Sequence, residues 1–207
     1  MGQWTGVRGR IRRLRWAPSA SRVFGVTGHR FELGPRLGES QLLAVEAELG
    51  CRLPESYRSF LSEVGDVQAG PAYGLLPIRL LRDPRARSAA RMPDLGDLAA
   101  PFRHEAAWND SPPSTDEPID SPERLERYNA WEQSYFEGRW IDGALPISHL
   151  GCGMWALLVL NGPAAGSIWF DSRTSDAGLW PESPTFDAWY LAWLAEAERT
   201  ARQPPNP

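Results

Sequence analysis

Cysteine is scarce in this chain: Cys51 and Cys152 are the only two, 101 positions apart and in no CxxC arrangement. That pattern suggests neither a disulfide framework nor a zinc site. Lysine is missing altogether, so all 22 basic residues are arginine. No run of 18 apolar residues occurs, which excludes a membrane-spanning helix on length. The opening segment MGQWTGVRGRIRRLRW is basic but lacks the apolar centre of a secretory signal. The cytoplasm is therefore the expected compartment. No internal repeat is present, which argues against a solenoid.

What is present suits a packed core. The 207 residues fit one domain, or one domain with appended ends. Hydrophobic residues make up 42%, aromatics 11% and charges 23%, a balance that excludes global disorder. Ten tryptophans are many for this length, and each buried indole N–H needs an acceptor, so several are expected half-buried. The net charge of -4 is unevenly spread. Residues 1–36 hold eight Arg against one acid, while the remainder holds 14 Arg against 25 acids. The basic strip could meet nucleic acid or an acidic lipid surface. Pairing of an Arg-rich helix with the acidic body is the better reading, because that body would repel a phosphate backbone.

Periodicity places the elements. Trp4, Val7, Ile11 and Leu14 predict a short helix near 4–17, followed by an extended, Gly-interrupted connection over 23–33 with room for a short strand. ESQLLAVEAEL places Leu42, Val45 and Leu49 on one face, with Gly50 at the C-cap position. Pro54 then opens a second helix at its first position, with Leu53, Tyr57, Phe60, Leu61 and Val64 as its stripe and Gly65 at its end. The two must fold back as a helix hairpin. Residues 66–74 read as a loop, 75–81 (LLPIRLL) as a strand and 82–120 as irregular, with Phe102 and Trp108 tacking it to the core. A helix from Ser121-Pro122 to about 137 carries Leu125, Tyr128, Trp131 and Tyr135 on one face. Residues 144–171 predict a three-stranded meander, with a tight turn or bulge at Gly151-Cys152-Gly153 and MWALLVL as its central strand. A last helix over 184–199 gathers Phe186, Trp189, Tyr190, Trp193, Leu194 and Ala197 on one broad face, and RQPPNP should fray. Helices beside an antiparallel sheet make an α+β layer architecture.

Several of these segments, in this order, resemble the SUKH superfamily, which includes a fungal cell-wall-assembly regulator and many bacterial proteins. They are LGESQLLAVEAELGCRLPESYRSFLSEVG (37–65), AGPAYGLLPI (69–78), LPISHLGCGMWALLVLNGPAAGSIWFD (145–171) and TFDAWYLAWLAEA (185–197). Asp66-Val67-Gln68 depart from the Gly- and Asn-rich turn of the family, and the acidic insertion at 109–120 has no fixed counterpart. The resemblance implies a single α+β domain: a curved antiparallel sheet flanked by helices. It also implies, for bacterial members, a frequent role as an immunity protein that neutralises a toxin by binding it, and it implies no catalysis. The expected organisation is a basic lead-in over 1–36, the SUKH-like domain over 37–199 and a flexible tail over 200–207.

Residue chemistry agrees with a non-enzyme. Ser148, His149 and Asp171 could be imagined as a hydrolase triad, but no GxSxG elbow surrounds any Ser. Neighbouring residues on a strand point to opposite faces, so Ser148 and His149 cannot meet without a bulge. His149, Cys152 and Asp171 match no zinc spacing, and a lone Cys in an apolar strand is usually a small core residue. Gly151 and Gly153 open no GxGxxG, because Ala156 takes the third glycine position. Asp171-Ser172-Arg173 could be an acid with an Arg clamp, but a strand-end Asx turn explains it more simply. The aromatic helix Phe186 to Trp193 reads as core sooner than as an open groove. No cofactor or metal is expected.

The acidic stretch has the best claim to function. Residues 105–137 carry nine acids against Arg124 and Arg127, interleaved with Trp108 and Trp131 and followed by Trp140. Nuclease toxins are basic because they hold phosphates, so an acidic surface would steer such a partner. The competing reading is a solvated loop and outer helix face. The candidate partner-binding residues are Trp108, Asp110, Asp116, Glu117, Asp120, Glu123 and Trp131. The expected partner is a protein, a toxin domain or an endogenous protein, with no nucleic acid and no membrane.

Overall fold

A computed structural model describes residues 2–89, 92–114, 118 and 121–204. Four antiparallel strands form one open sheet in the order β1 (Ala144–Gly151), β2 (Met154–Val159), β3 (Ile168–Asp171) and β4 (Leu179–Ser183). The meander expected over 144–171 is there, and a fourth strand extends it. β2 shows why its sequence is apolar at every position. Trp155, Leu157 and Val159 face one core, while Ala156 and Leu158 face another on the opposite side of the sheet. A strand covered on both faces cannot alternate polar with apolar. Gly151, Cys152 and Gly153 all have positive φ (104°, 50° and 77°), the backbone that a tight primed hairpin turn requires. β1 is also irregular on either side of Ser148-His149.

The first core lies between the sheet and a layer of helices: α1 (Val7–Leu14), α3 (Glu39–Leu49), α4 (Glu55–Glu63) and α8 (Phe186–Arg202). Trp4, Tyr57, Phe60, Phe186 and Tyr190 meet edge-to-face or stacked, with ring centroids 4.6 to 6.4 Å apart. Each such ring contributes about 1.5–3 kcal/mol when taken out of water. The indole of Trp4 donates to Ser59 Oγ at 3.0 Å, and the Tyr190 hydroxyl donates to Ala69 O at 2.9 Å. The helix hairpin is closed by Glu46, a buried carboxylate that accepts from Leu53 N–H and Arg58 Nε, both at 3.1 Å. Gly50 takes the expected C-cap with φ 71°. Pro54 is the N-cap of α4, one place before the position expected. The broad face of α8 is core: Phe186, Trp189, Tyr190, Leu194 and Ala197 are buried and Trp193 half-buried.

Three expectations are corrected. Residues 23–33 contain a four-residue helix, α2 (Val26–His29), and no strand. Gly25 sits at φ 74° so close to Ala72 that a Cβ would lie 1.7 Å from the Ala72 carbonyl oxygen, so tertiary packing sets the turn. Residues 75–81 are not a strand either. Leu75 makes a single bridge to Ser148, and after Pro77 the chain forms α5 (Ile78–Arg82). Proline fixes φ and removes a ladder donor, so pairing stops there, and Asp66 Oδ1 accepts the Ile78 N–H at 2.8 Å to cap the new helix. A further helix, α6 (Pro84–Ala89), lies within the stretch expected to be irregular.

The second core covers the other face of the sheet. Trp155, Leu157, Val159, Trp169 and Leu179 pack against Phe102, Ile141 and Ala144, with Trp108 and Trp140 at the rim. Phe102 is fully buried and Trp108 half-buried, so both tack the irregular stretch down as expected. The layer is completed by α7 (Pro122–Tyr135) and a 3-10 turn, Gly138–Ile141.

Candidate functional site

The side chain of Ser121 caps α7, its Oγ accepting from Arg124 N–H at 3.2 Å, and Pro122 follows inside the first turn. Beyond this start the helix has little to lean on. Its only buried residue is Tyr135 in the last turn. Leu125 is 57% exposed, Tyr128 42% and Phe136 39%. With exposed Glu132 they follow one another at three- and four-residue spacings, so they form one open stripe along the helix. Glu123, Glu126 and Glu137 are also exposed.

The C-terminal half of α7 is held by stacked rings. Trp131 lies 4.8 Å from Tyr135, Tyr135 5.6 Å from Trp108, and Trp108 4.3 Å from Trp140. Trp108 also extends the sheet by one residue. Its N–H donates to Leu179 O at 2.8 Å, and its carbonyl accepts from Leu179 N–H at 2.7 Å. Gly178 makes room for this bridge, since a Cβ there would lie 2.1 Å from the Trp108 carbonyl oxygen. Trp140 donates its indole N–H to Ser134 O at 2.7 Å, while Arg139 and Arg103 lie over its ring. Buried His104 donates from Nε2 to Trp140 O at 2.9 Å, and burial pushes its pKa down, which keeps the ring neutral.

A buried ion pair fixes the end of α7 to the sheet. Arg173, 2% exposed, donates through Nε to Asp171 Oδ1 at 2.9 Å and through Nη2 to Asp171 Oδ2 at 2.7 Å. Its Nη1 reaches the carbonyls of Tyr135 at 2.9 Å and Glu137 at 3.3 Å. A guanidinium there satisfies carbonyls left over at the helix end and complements the helix dipole. The Arg173 N–H also donates to Asp171 Oδ1 at 3.2 Å, which is the Asx turn expected from sequence.

Two of the candidate residues meet on Tyr135. Trp108 and Trp131 join the stack, Trp108 as an internal strut. Asp110 and Glu123 are exposed. Asp116, Glu117 and Asp120 lie outside the described residues. Sequence reasoning missed the open stripe as a site, although the Leu125-Tyr128 spacing carried the signal. It also missed the reach of Arg173 to Tyr135, 38 positions away, for which no local signal exists.

The imagined triad residues have other partners. β1 does bulge at Ser148, yet the buried Ser148 hydroxyl donates to Pro71 O at 3.0 Å. His149 packs between Tyr73 and Trp155, and both oxygens of Asp171 accept from Arg173. Among the described residues, no group of three His, Cys, Asp or Glu could hold a metal, and no helix is long and apolar enough to cross a membrane.

The order of elements from the helix hairpin through the four strands to α8 coincides with a family match. The model described as the SMI1 / KNR4 family (SUKH-1) matches residues 37–192. The chain belongs to this family. No curated protein and no solved structure matches it. SUKH-1 domains are generally non-catalytic. The match in this SUKH-1 chain begins after α1 and α2 and includes α7 and all four strands.

Proposed function

We propose that this SUKH-1 protein is a non-catalytic binding module that captures a basic protein partner on α7, acting as an immunity protein that occludes a toxin. The observation that carries this reading is the open stripe of Leu125, Tyr128 and Phe136 with exposed Glu132 within it, on a helix whose other faces carry exposed Glu123 and Glu126 and whose end is followed by exposed Glu137. Apolar side chains at the centre of a patch supply affinity, while acids around them speed encounter with a basic surface. The stacked rings behind α7 hold the stripe in place before binding, which lowers the ordering cost of association. A toxin that acts on nucleic acid would present such a basic surface. The second reading is a regulatory scaffold that binds endogenous proteins, the role that the resemblance to fungal members implies.

The test pairs two sets of substitutions against the toxin domain encoded by a neighbouring gene. Reversing Glu123 and Glu126 to Arg should slow association about tenfold at low salt and leave Tm unchanged. Leu125→Ala with Tyr128→Ala should speed dissociation instead. Unchanged rates in both would remove α7 as the binding surface. Co-expression that fails to rescue growth from that toxin would favour the scaffold reading.

A further inference from the structure

Three arginines converge on one hollow with no acid among its lining residues. Arg8 and Arg12 stand one turn apart on α1, and Arg36 comes from the lead-in to α3; together they line a hollow of about 460 Å³. Like charges four residues apart on a helix repel, so the arrangement costs stability when the hollow holds only water. Elsewhere on α1 that cost is offset: Arg10 makes a bidentate pair with Glu198, 2.9 Å for each bond. Among the described residues, Arg8, Arg12 and Arg36 have no carboxylate partner of this kind.

The hollow is built by specific backbone contacts. Arg8 Nη1 donates to Gly34 O at 3.1 Å and to Val64 O, which anchors one edge of the guanidinium. Arg36 lies between two bonds that strap its segment to the end of α4: Asp66 N–H donates to Pro35 O at 2.7 Å, and Leu37 N–H to Leu61 O at 3.0 Å. Gly65, at φ 118°, lets these pieces close together, since a Cβ there would lie 2.7 Å from Pro35 O and 2.9 Å from Arg8 Nη1. Burial, then the charges of Arg36 and Arg12, lower the pKa of Arg8, as expected where cations crowd without a counter-ion.

We infer that Arg8, Arg12 and Arg36 form a binding site for a compact, multiply charged phosphate group. Planar guanidinium groups match phosphate oxygens bidentately, and an anion would turn mutual repulsion into attraction. The ligand is compact because the chain beyond residue 36 carries 25 acids against 14 Arg, and that field opposes a long polyanion. The phosphate can come free, as pyrophosphate, or on a nucleotide.

The experiment is calorimetric titration and thermal melting of the full chain with inorganic phosphate, pyrophosphate and ATP, against sodium chloride at matched ionic strength. Pyrophosphate at ten times its Kd should raise Tm by about 3–5 °C. Arg12→Gln and Arg36→Gln, both at exposed positions, should each weaken binding about tenfold without lowering the Tm of the free protein. Tighter binding of ATP than of pyrophosphate supports the site and assigns the phosphate to a nucleotide; equal binding supports it and assigns a free anion. A shift no larger than that from chloride, or full affinity in both variants, would overturn the site. Tighter binding of a single-stranded oligonucleotide than of pyrophosphate would overturn the compact ligand.

Discussion

Replacing Arg173 with Met should loosen α7 from the sheet. The side chain is 2% exposed and its partner Asp171 6%, so neither charge is bathed in water. Removing the guanidinium strands a buried carboxylate that had accepted two charge-assisted bonds, and leaves the carbonyls of Tyr135 and Glu137 without this donor. Breaking a buried pair from one side costs about 3–5 kcal/mol, mostly from the uncompensated charge. For a chain of this size that is a fall in Tm of roughly 10 °C. The double variant Asp171→Asn with Arg173→Met removes both charges and should cost only about 1–3 kcal/mol, so the pair has a favourable coupling energy. Urea melts of the two single variants and the double variant give that coupling. Hydrogen exchange across 122–135 should rise in Arg173→Met alone, because the carbonyls it releases lie at the end of α7. Additive costs in the double variant, or unchanged exchange in α7, would refute the claim that this pair anchors the helix.

Two further predictions test the layers and the buried histidines. Phe60→Ala and Trp155→Ala remove fully buried rings from opposite faces of the sheet, and each should cost about 3–5 kcal/mol in a urea melt. A near-neutral result at either would show that its face is not packed as described. His29 and His104 are buried, and burial lowers the pKa of each, so the folded state disfavours their protonation. Their contribution is complete above about 6.5, the unfolded pKa, and is lost as pH falls from there toward the folded values. Between pH 7 and 5.5 stability should drop by at most about 1.4 kcal/mol per pH unit for each ring. His104→Gln, which keeps a donor for Trp140 O, should flatten that slope; a Tm independent of pH in this range would contradict the assignment.

The helix hairpin and β2 were legible because local pattern and final environment agree there. Leu42 and Val45 repeat at helical spacing and end at a glycine that the C-cap needs, while the unbroken apolar run of β2 fits a strand with a core on each face. LLPIRLL misled because its apolar content suits a strand, whereas Pro77 permits only one bridge before the chain turns helical. β4 went unread for a related reason. It is five residues long, contains Pro181, and gains its outer partner from Trp108, some 70 positions earlier. The candidate site divides in the same way. The acids and the aromatic spacing of α7 are local and visible, but what anchors the helix is Arg173, whose link to Tyr135 depends on the fold. The Asx turn at Asp171 could be expected from three residues; the buried pair it carries could not.

The two charged features sit on opposite layers of the molecule. α1 packs with α8 over the face of Ala156 and Leu158, whereas α7 and its ring stack cover the face of Trp155 and Leu157. Layers packed on a sheet lie about 10 Å from it on either side, and the Debye length is about 8 Å at physiological salt. The Arg hollow and the acids of α7 are therefore more than one screening length apart. Under the proposed reading, a basic partner feels the acids of α7 when it approaches that side, while Arg8, Arg12 and Arg36 oppose its approach to their hollow. An anion held by Arg8, Arg12 and Arg36 would weaken that repulsion without touching the docking stripe. The two sites then communicate through the field at low salt and act independently at physiological salt, so an effect of pyrophosphate on partner association should fade as salt rises.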